Sequence, residues 1–276
     1  MKTEEDGLIT PEVGTWAENK YKHVEYYADL FTKSMRDKWE CLVYVDLFSG
    51  AGKAKIKDTN KIIDALPLRV LKLPVKFDKY IFCDKDKKKT EALTHRVEKY
   101  SSNNITIING DTNYEVNNCL TKIPLHSKDK KVLCFCVVDI FAVSNLKFST
   151  LELLSERFVD FLVLIPSMMD ANRFLFQYIK PDSNIMAEFL GDDEWRKEWA
   201  EINNKITFGH FLVTKFGKQM KKLRYHDCKI EDTVLIRSDD NNLPLYHLAF
   251  YSRSLLGVKF WKQAKKYVNR QTNIFD

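Results

Sequence analysis

The chain has 276 residues, of which 45% are hydrophobic and 30% charged, enough for one large α/β domain with a substantial core. Its 44 basic residues exceed its 38 acidic ones by six, a modest excess that permits a nucleic-acid partner without requiring one. Because no apolar run approaches the ~20 residues of a membrane helix and no apolar leader follows Met1, we expect a cytoplasmic protein with no membrane partner.

Five short apolar runs, rich in β-branched and aromatic residues, recur through the first 165 residues. They are "CLVYVDLF" (41–48), "KYIFC" (79–83), "NITII" (104–108), "KVLCFCVVDIF" (131–141) and "FVDFLVLI" (158–165). Each run is almost continuously apolar, which is typical of strands buried on both faces. The pattern therefore predicts a mainly parallel sheet with helices on both faces, in a fold of the α/β class.

Helix-like segments at 87–100 and 149–158 are long enough to cross between parallel strands. A polar, aromatic-rich region follows the fifth run, and a longer helix is predicted over 203–223. Strand-like runs at 232–238 and 245–252 flank the turn-rich "DDNNLP", which predicts an antiparallel hairpin at the edge of the sheet. The segment "LLGVKFWKQAKKYV" closes the pattern as a helix.

The six cysteines contain no Cys-x-x-Cys pair, and several lie inside apolar runs. A free cysteine in such a run behaves as a small hydrophobic residue. We therefore expect reduced core thiols and no metal site, since "HDC" (226–228) has no second pair of ligand residues to complement it.

The stretch "YVDLFSGAGKAKI" (44–56) places Gly50 and Gly52 directly after the first predicted strand. Glycines at this place let a ligand approach backbone N–H groups at the carboxyl edge of a parallel sheet. They also serve a tight exit from a strand for purely conformational reasons. The glycines alone leave the two explanations open.

Four aspartates end the first four predicted strands: Asp46, Asp84, Asp111 and Asp139. In a parallel sheet their carboxylates would lie along one edge, which is where open α/β folds bind ligands. An acidic residue after the second strand is placed to accept hydrogen bonds from ribose hydroxyls. We assign that role to Asp84.

The loop does not fit a pyrophosphate well. Lys53 and Lys55 stand where the third glycine of G-x-G-x-x-G would be sought, and the Gly-Lys-Ser/Thr ending of a P-loop is also missing. A ligand with a ribose and no phosphate fits better, and S-adenosylmethionine is one. A nicotinamide-dependent oxidoreductase stays as a weaker alternative.

The motif "VDLFSGAG" resembles the first motif of S-adenosylmethionine-dependent methyltransferases. The segments at 6–27 and 244–266 look like the opening and closing signatures of the three-Cys-motif partner protein family, so the resemblance covers nearly the whole chain. It implies a Rossmann-like methyltransferase fold with S-adenosylmethionine as cofactor. It also implies a partner, the radical-S-adenosylmethionine-like protein that carries the three cysteines.

We divide the single domain predicted over 1–276 into four parts. These are an N-terminal helical extension (1–40), a cofactor-binding core (41–165), a helical insertion or lid (166–230) and a C-terminal hairpin and helix (231–276). The resemblance and the loop give the candidate cofactor-binding residues as Asp46, Phe48, Ser49, Gly50, Gly52, Asp84, Lys85 and Asp111.

The family resemblance also implies an Asp-Pro-Tyr-Gly motif after the fourth strand, similar to that of methyltransferases acting on amines of nucleic acids. Here the motif reads Asp139-Ile140-Phe141-Ala142. Asp139 would accept the hydrogens of the amine and Phe141 would stack on a flipped base, so both are catalytic candidates. Proline would fix φ and present a main-chain carbonyl, which isoleucine does not.

Two functions are therefore predicted. One is methyl transfer to a nucleic-acid or nucleoside amine. The other is a catalytically inactive module of the same fold, which binds nucleic acid or a partner protein in a larger assembly with a role in defence.

Two further residues are candidates for substrate binding. Lys20 lies with Trp16, His23 and Tyr27 at helical spacing, and Arg173 follows the fifth strand with a side chain suited to grip a phosphate or carboxylate. A packing helix and a surface ion pair are the structural alternatives. Trp195 and Trp199 would share one helix face, in the core or as a lid over the cleft.

Overall fold

The computed structural model describes residues 6–100, 104–202, 205–238 and 241–272. Its strands are β1 (Glu12–Val13), β2 (Cys41–Asp46), β3 (Lys53–Ile56), β4 (Ile62–Asp64), β5 (Lys79–Asp84), β6 (Ile105–Asn109), β7 (Val132–Val138), β8 (Val159–Ile165), β9 (Val234–Arg237) and β10 (Pro244–Tyr251). Its α-helices are α1 (Trp16–Met35), α2 (Leu66–Leu71), α3 (Lys87–Val97), α4 (Thr112–Lys122), α5 (Phe148–Leu154), α6 (Leu175–Tyr178), α7 (Ile185–Leu190), α8 (Trp195–Ile202), α9 (Phe208–Lys222) and α10 (Leu255–Thr272).

Seven strands form the main sheet, in the order β6-β5-β2-β7-β8-β10-β9. β10 runs antiparallel to both of its neighbours, whereas every other neighbouring pair is parallel. Counted along the chain, the order is 3-2-1-4-5-7-6, with the seventh strand reversed. This is the Rossmann-like methyltransferase fold, so the predicted fold class, including the antiparallel edge hairpin, is confirmed.

Both faces of the sheet are buried, which explains the continuous apolar runs. Successive side chains of a strand point to opposite faces. In β2, Val43 and Val45 join the core shared with α4, α5, α7 and α9, while Leu42 and Tyr44 join the core shared with α1, α2, α3 and α10. All six cysteines are buried and free, as expected for core thiols.

The predicted strands lie within two residues of the observed ones, except at the end of β7, where the predicted run continues to residue 141. The predicted helices run past the observed ends, because α3 stops at Val97 and α5 at Leu154. The predicted helix 203–223 starts in residues 203–204, outside the described part, and α9 begins at Phe208. Residues 1–5 of the extension and 239–240 of the hairpin link also lie outside it. No helix in the described ranges is long and apolar enough to span a bilayer.

A second, three-stranded sheet has the order β1-β3-β4 and was not predicted. β1 pairs in parallel with β3, and β3 continues through a turn into the antiparallel β4. The chain after the glycine-bearing loop therefore turns back over the edge of the main sheet, and the N-terminal segment lies beside it.

Residues 166–230 form helices that pack on one face of the main sheet. Trp195 is fully buried there, and its ring lies 5.9 Å from that of Phe208. Trp199 lies 5.1 Å from the same ring. The two tryptophans therefore belong to the core on this face.

Candidate functional site at the carboxyl edge of the sheet

A cavity of about 310 Å³ lies at the edge where the parallel strands end. Asp46 and Asp84 are the last residues of β2 and β5, and Asp139 directly follows β7. Asp111 caps the N-terminus of α4, two residues after the end of β6. All four line the cavity, so the fold brings together the aspartates that the sequence placed at one edge.

The loop after β2 is held to the neighbouring strand by its backbone. Gly50 N donates to Asp84 Oδ2 at 2.9 Å, and Ser49 N donates to the Cys83 carbonyl, also at 2.9 Å. Phe48 N donates to Asp46 Oδ1 at 3.2 Å. Ser49 also lines the cavity, and its Oγ is buried without a hydrogen-bond partner in the described ranges.

The two glycines of the loop have different roles. Both have positive φ, +66° at Gly50 and +81° at Gly52, a region that side chains rarely adopt. A Cβ on Gly50 would meet no atom within 4 Å, and Gly50 lines the cavity. A Cβ on Gly52 would come within 2.9 Å of Leu93 and 3.3 Å of Leu68, and Gly52 does not line the cavity. Gly52 therefore serves packing and Gly50 leaves room for a ligand.

Asp84 already uses both carboxylate oxygens. Oδ2 accepts from Gly50 N, and Oδ1 accepts from Asp86 N at 2.9 Å. Asp86 in turn caps α3 by accepting from Lys88 N at 2.9 Å, and it lines the cavity together with the exposed Lys85. Asp86 was missed from the sequence; its signal was the "DKD" spacing directly before a helix.

Asp46 is the most deeply buried of the four aspartates, with 1% of its surface exposed. Burial, followed by the charges of Asp139 and Asp84, raises the pKa of Asp46 to about 8, against the lowering effects of the Phe48 N–H and Lys20. A carboxyl in this setting is largely protonated at neutral pH. It would ionise when a positive charge enters the cavity.

Asp139 is paired with Lys20 of α1. Lys20 Nζ lies 2.5 Å from Asp139 Oδ2 and 4.9 Å from the centre of the Tyr21 ring. Burial lowers the pKa of Lys20, but the Asp139 carboxylate together with Tyr21 and Tyr246 outweighs it and holds that pKa above its usual value. Lys20 is thus a charged partner of Asp139, although Lys20 itself does not line the cavity.

Phe141 lines the cavity two residues after Asp139, with 67% of its surface exposed. Its exposed ring offers a face at the edge of the cavity on which a planar ligand group can stack. Ile140, in contrast, is fully buried. The side chain of Asn145 lines the same region and accepts from Ala142 N at 3.1 Å, which fixes the turn after Phe141.

The N-terminal segment forms another wall, which was missed from the sequence. Pro11, Val13 and Tyr21 all line the cavity. A two-residue strand such as β1 carries no periodic signal, so the pairing with β3 could not be read from the sequence.

Arg96 of α3 holds this segment in place. Its guanidinium donates to both carboxylate oxygens of Asp6, at 2.9 and 2.8 Å, and to the Ala51 carbonyl at 2.6 Å. It also donates to Thr10 Oγ1 at 2.9 Å. The Arg96 hydrogen bond holds the pKa of Asp6 well below its usual value. Arg96 therefore links the N-terminal strap, which we define as residues 6–13, to the glycine-bearing loop.

Several sequence candidates lie elsewhere. Arg173 is exposed, 5.6 Å from the ring of Phe174, and does not line the cavity, so it is not placed to bind a substrate there. His23 is buried, with Nδ1 2.9 Å from the Asn19 carbonyl oxygen. No residue of 166–230 in the described ranges lines the cavity, so this region packs on the sheet and does not cover the cavity as a lid.

No protein-family model and no curated protein sequence matches the chain. Among solved structures, the chain is similar to a Legionella pneumophila protein of the DUF519 family, with 12% identity, coverage of 90% of this chain and 92% of that one, and a TM-score of 0.48. It is also similar to magnesium protoporphyrin IX methyltransferase from Synechocystis with bound S-adenosylhomocysteine, with 10% identity, coverage of 87% and 88%, and a TM-score of 0.41. A third is TYW2 from M. jannaschii in complex with S-adenosylmethionine, with 10% identity, coverage of 88% and 78%, and a TM-score of 0.40.

Proposed function

We propose that this chain binds S-adenosylmethionine in the cavity at the carboxyl edge and transfers its methyl group to an amine of a nucleic acid or nucleoside. The observation that carries the proposal is the meeting of four strand-end aspartates and an open-sided glycine loop around one cavity. Neither feature alone would select a ligand.

The residues present fit this cofactor. S-adenosylmethionine has positive sulfonium and ammonium groups and a ribose diol, and when bound it supplies an electrophilic methyl group. The open space beside Gly50 and the unpartnered Ser49 Oγ provide room and a polar contact. Each Asp84 oxygen keeps one lone pair beside its backbone hydrogen bond, so Asp84 and Asp86 can accept from the ribose hydroxyls, as acidic residues after the second strand do in dinucleotide folds. Asp46 would supply a negative charge for a cationic group.

The acceptor would lie between Asp139 and Phe141. Asp139 Oδ2 is engaged by Lys20, whereas Oδ1 has no hydrogen-bond partner in the described ranges and can accept an amine N–H. The exposed ring of Phe141 offers a surface on which a base can stack. Lys85 and Lys89 line the same cavity and would attract a phosphate backbone.

A second candidate function is a catalytically inactive binding module. The Lys20 ammonium stands where an amine would donate to Asp139, and Ile140 and Ala142 replace the proline and glycine of the implied motif. In that case, the cavity would hold cofactor or nucleic acid for a partner, such as a three-Cys-motif protein or a larger defence assembly.

Calorimetric titration with S-adenosylmethionine and S-adenosylhomocysteine tests the cofactor. We expect saturable binding that is lost in Asp84→Ala, because this carboxylate holds the loop. Lys57→Ala, an exposed change outside the cavity, is the control and should bind as wild type. No heat of binding at millimolar ligand would contradict the proposal.

Transfer of labelled methyl groups to mixed RNA, DNA and nucleosides separates the two functions. A catalyst would give product that Asp139→Ala abolishes and that Asp182→Ala, at an exposed residue outside the cavity, leaves unchanged. Cofactor binding without any methylated product would favour the inactive module instead.

A further inference from the structure

A second cavity, of about 130 Å³, lies at the opposite end of the main sheet. Its floor includes Leu133 and Asp160, each the second residue of its strand, at the edge where β7 and β8 begin. α1 and α10 form its sides. The proposed methyl transfer takes place at the other end of these strands and makes no use of this cavity.

Asp160 is a buried carboxyl, and the positive charge of Arg253 acts on it from beyond ion-pair distance. Its exposed fraction is 7%, and it forms no ion pair with a lysine, arginine or histidine side chain in the described ranges. The hydroxyls of Ser252 and Tyr27 lie beside it. A Cβ on Gly257 would come within 3.1 Å of Asp160 Oδ2, so the backbone of α10 also packs closely on the acid. Burial raises the pKa of Asp160 to about 7.

Four of the nine other lining residues are aromatic. Tyr27 and Phe31 of α1, Trp39 just after it and Phe260 of α10 all line the cavity. The negative face of an aromatic ring attracts a cation, and cages of such rings are used to recognise alkylammonium groups. A carboxylate among four aromatic residues is complementary to a positive, weakly hydrated group.

We propose that this cavity binds a small organic ammonium ion, such as a methylated amine, with Asp160 as counter-ion and the aromatic residues as its walls. The size agrees, because an apolar cavity of about 150 Å³ accepts benzene, with its six heavy atoms. A cavity of about 130 Å³ thus accommodates a tetramethylammonium ion, which has five heavy atoms.

Two features of the chain compete with this role. The N-terminus of α10 lies beside Asp160 and would itself favour a negative charge there. Lys38 lines the rim of the cavity, but it is exposed and not paired with Asp160. If the N-terminus of α10 or Lys38 already compensated the charge of Asp160, an added cation would not bind in the cavity.

Titration of the full chain with tetramethylammonium chloride at constant ionic strength tests the proposal. Choline is then compared with 3,3-dimethylbutan-1-ol, which has nearly the same shape and no charge. We expect saturable binding of both cations and binding of the alcohol weaker by about tenfold or more, since aromatic rings attract a desolvated cation and give a neutral group no such gain.

Variants locate the binding. Asp160→Asn should weaken tetramethylammonium binding by about tenfold or more, and Phe260→Leu, which keeps an apolar wall, by about threefold. Asp182→Asn, an exposed change outside both cavities, is the matched control and should have no effect. If Asp160→Asn does not fold, the proposal is still tested by Phe260→Leu and by the comparison of choline with the alcohol.

Three results would overturn the proposal. They are the absence of saturable binding, equal affinity for choline and the uncharged alcohol, and an Asp160→Asn or Phe260→Leu variant that binds tetramethylammonium as wild type does. Binding equally weakened by Asp182→Asn would also overturn it, because the loss would then not be specific to this cavity.

Discussion

Gly50 N donates to Asp84 Oδ2 at 2.9 Å, so the loop that follows β2 is anchored to the end of β5. The same carboxylate accepts from Asp86 N, at the start of the turn that leads into α3. One aspartate thus sets the positions of the two backbone segments that border the cavity. A buried acceptor that serves two N–H groups is costly to remove, because both donors lose their partner.

Asp84→Asn should therefore weaken both folding and ligand binding. An amide presents an NH₂ group to one of the two backbone donors, and we expect the free energy of unfolding to fall by about 2 kcal/mol. Urea unfolding and calorimetry measure the two effects. Thr207→Ala, which removes the cap of α9, is the control: it should cost about 1 kcal/mol and leave ligand affinity unchanged.

Gly50→Ala and Gly52→Ala should differ in kind. Both force an alanine into positive φ at about 1–2 kcal/mol, but only at Gly52 does the new Cβ collide with Leu93 and Leu68. We expect Gly52→Ala to lose about 1–3 kcal/mol more by overpacking. Gly50→Ala should lose only the cost of positive φ, about 1–2 kcal/mol, and bind S-adenosylmethionine weakly. Equal stability of the two variants would show that Gly52 is not tightly packed.

Binding of S-adenosylmethionine near neutral pH should release a proton from Asp46. The raised pKa, about 8, keeps this carboxyl largely protonated in the free protein, and an incoming positive charge favours its ionised form. Calorimetry in buffers of different ionisation enthalpy measures the release, which Asp46→Asn should abolish. An observed enthalpy that does not depend on the buffer would contradict this assignment.

The same group makes the free protein less stable as pH rises. Between the unfolded pKa near 4 and the folded pKa of about 8, the native state holds a proton that the unfolded chain has lost. The free energy of unfolding therefore falls with pH in this window, by at most about 1.4 kcal/mol per unit from this group. The lowered pKa of His247, about 4, acts in the opposite sense below the unfolded value of 6.5. The difference between wild type and Asp46→Asn isolates the Asp46 contribution, and a difference that is flat from pH 5 to 8 would refute it.

Arg96→Gln should release the N-terminal strap. The guanidinium binds Asp6, Thr10 and the Ala51 carbonyl, so its loss should cost about 2 kcal/mol and speed amide hydrogen exchange within residues 6–13. Faster dissociation of S-adenosylmethionine should accompany it. Arg36→Gln, which breaks an ion pair with Asp78, is the control and should leave exchange in the strap unchanged.

The sequence predicted the main sheet because its strands are buried on both faces. Val43 and Leu42 point to opposite cores, and both must be apolar. The small sheet carries no such signal, since β3 is only "KAKI", in which two half-buried lysines alternate with buried residues. Short strands held by neighbours distant in sequence are decided by tertiary contacts rather than by local pattern.

The sequence predicted those site residues that directly follow the strands of the main sheet. The four aspartates share the cavity because parallel strands end at one edge. Contacts between distant segments were not predictable, and the hydrogen bonds from Arg96 to Asp6 join residues far apart in the chain. Arg173 shows the opposite error: a place just after a strand did not bring its side chain into the cavity, because the chain turns at once into the π-helix Ser167–Asn172.

One helix serves both ends of the sheet. Lys20 of α1 contacts Asp139 at the carboxyl edge, and Tyr27 of the same helix lines the second cavity two turns later, about 10 Å along the axis at 1.5 Å per residue. A rigid rod of this kind cannot shift at one end alone. If a ligand at one cavity displaced α1, it would change the affinity of the other cavity for its ligand. Each ligand would change the affinity for the other by the same factor, so α1 can couple the two sites thermodynamically.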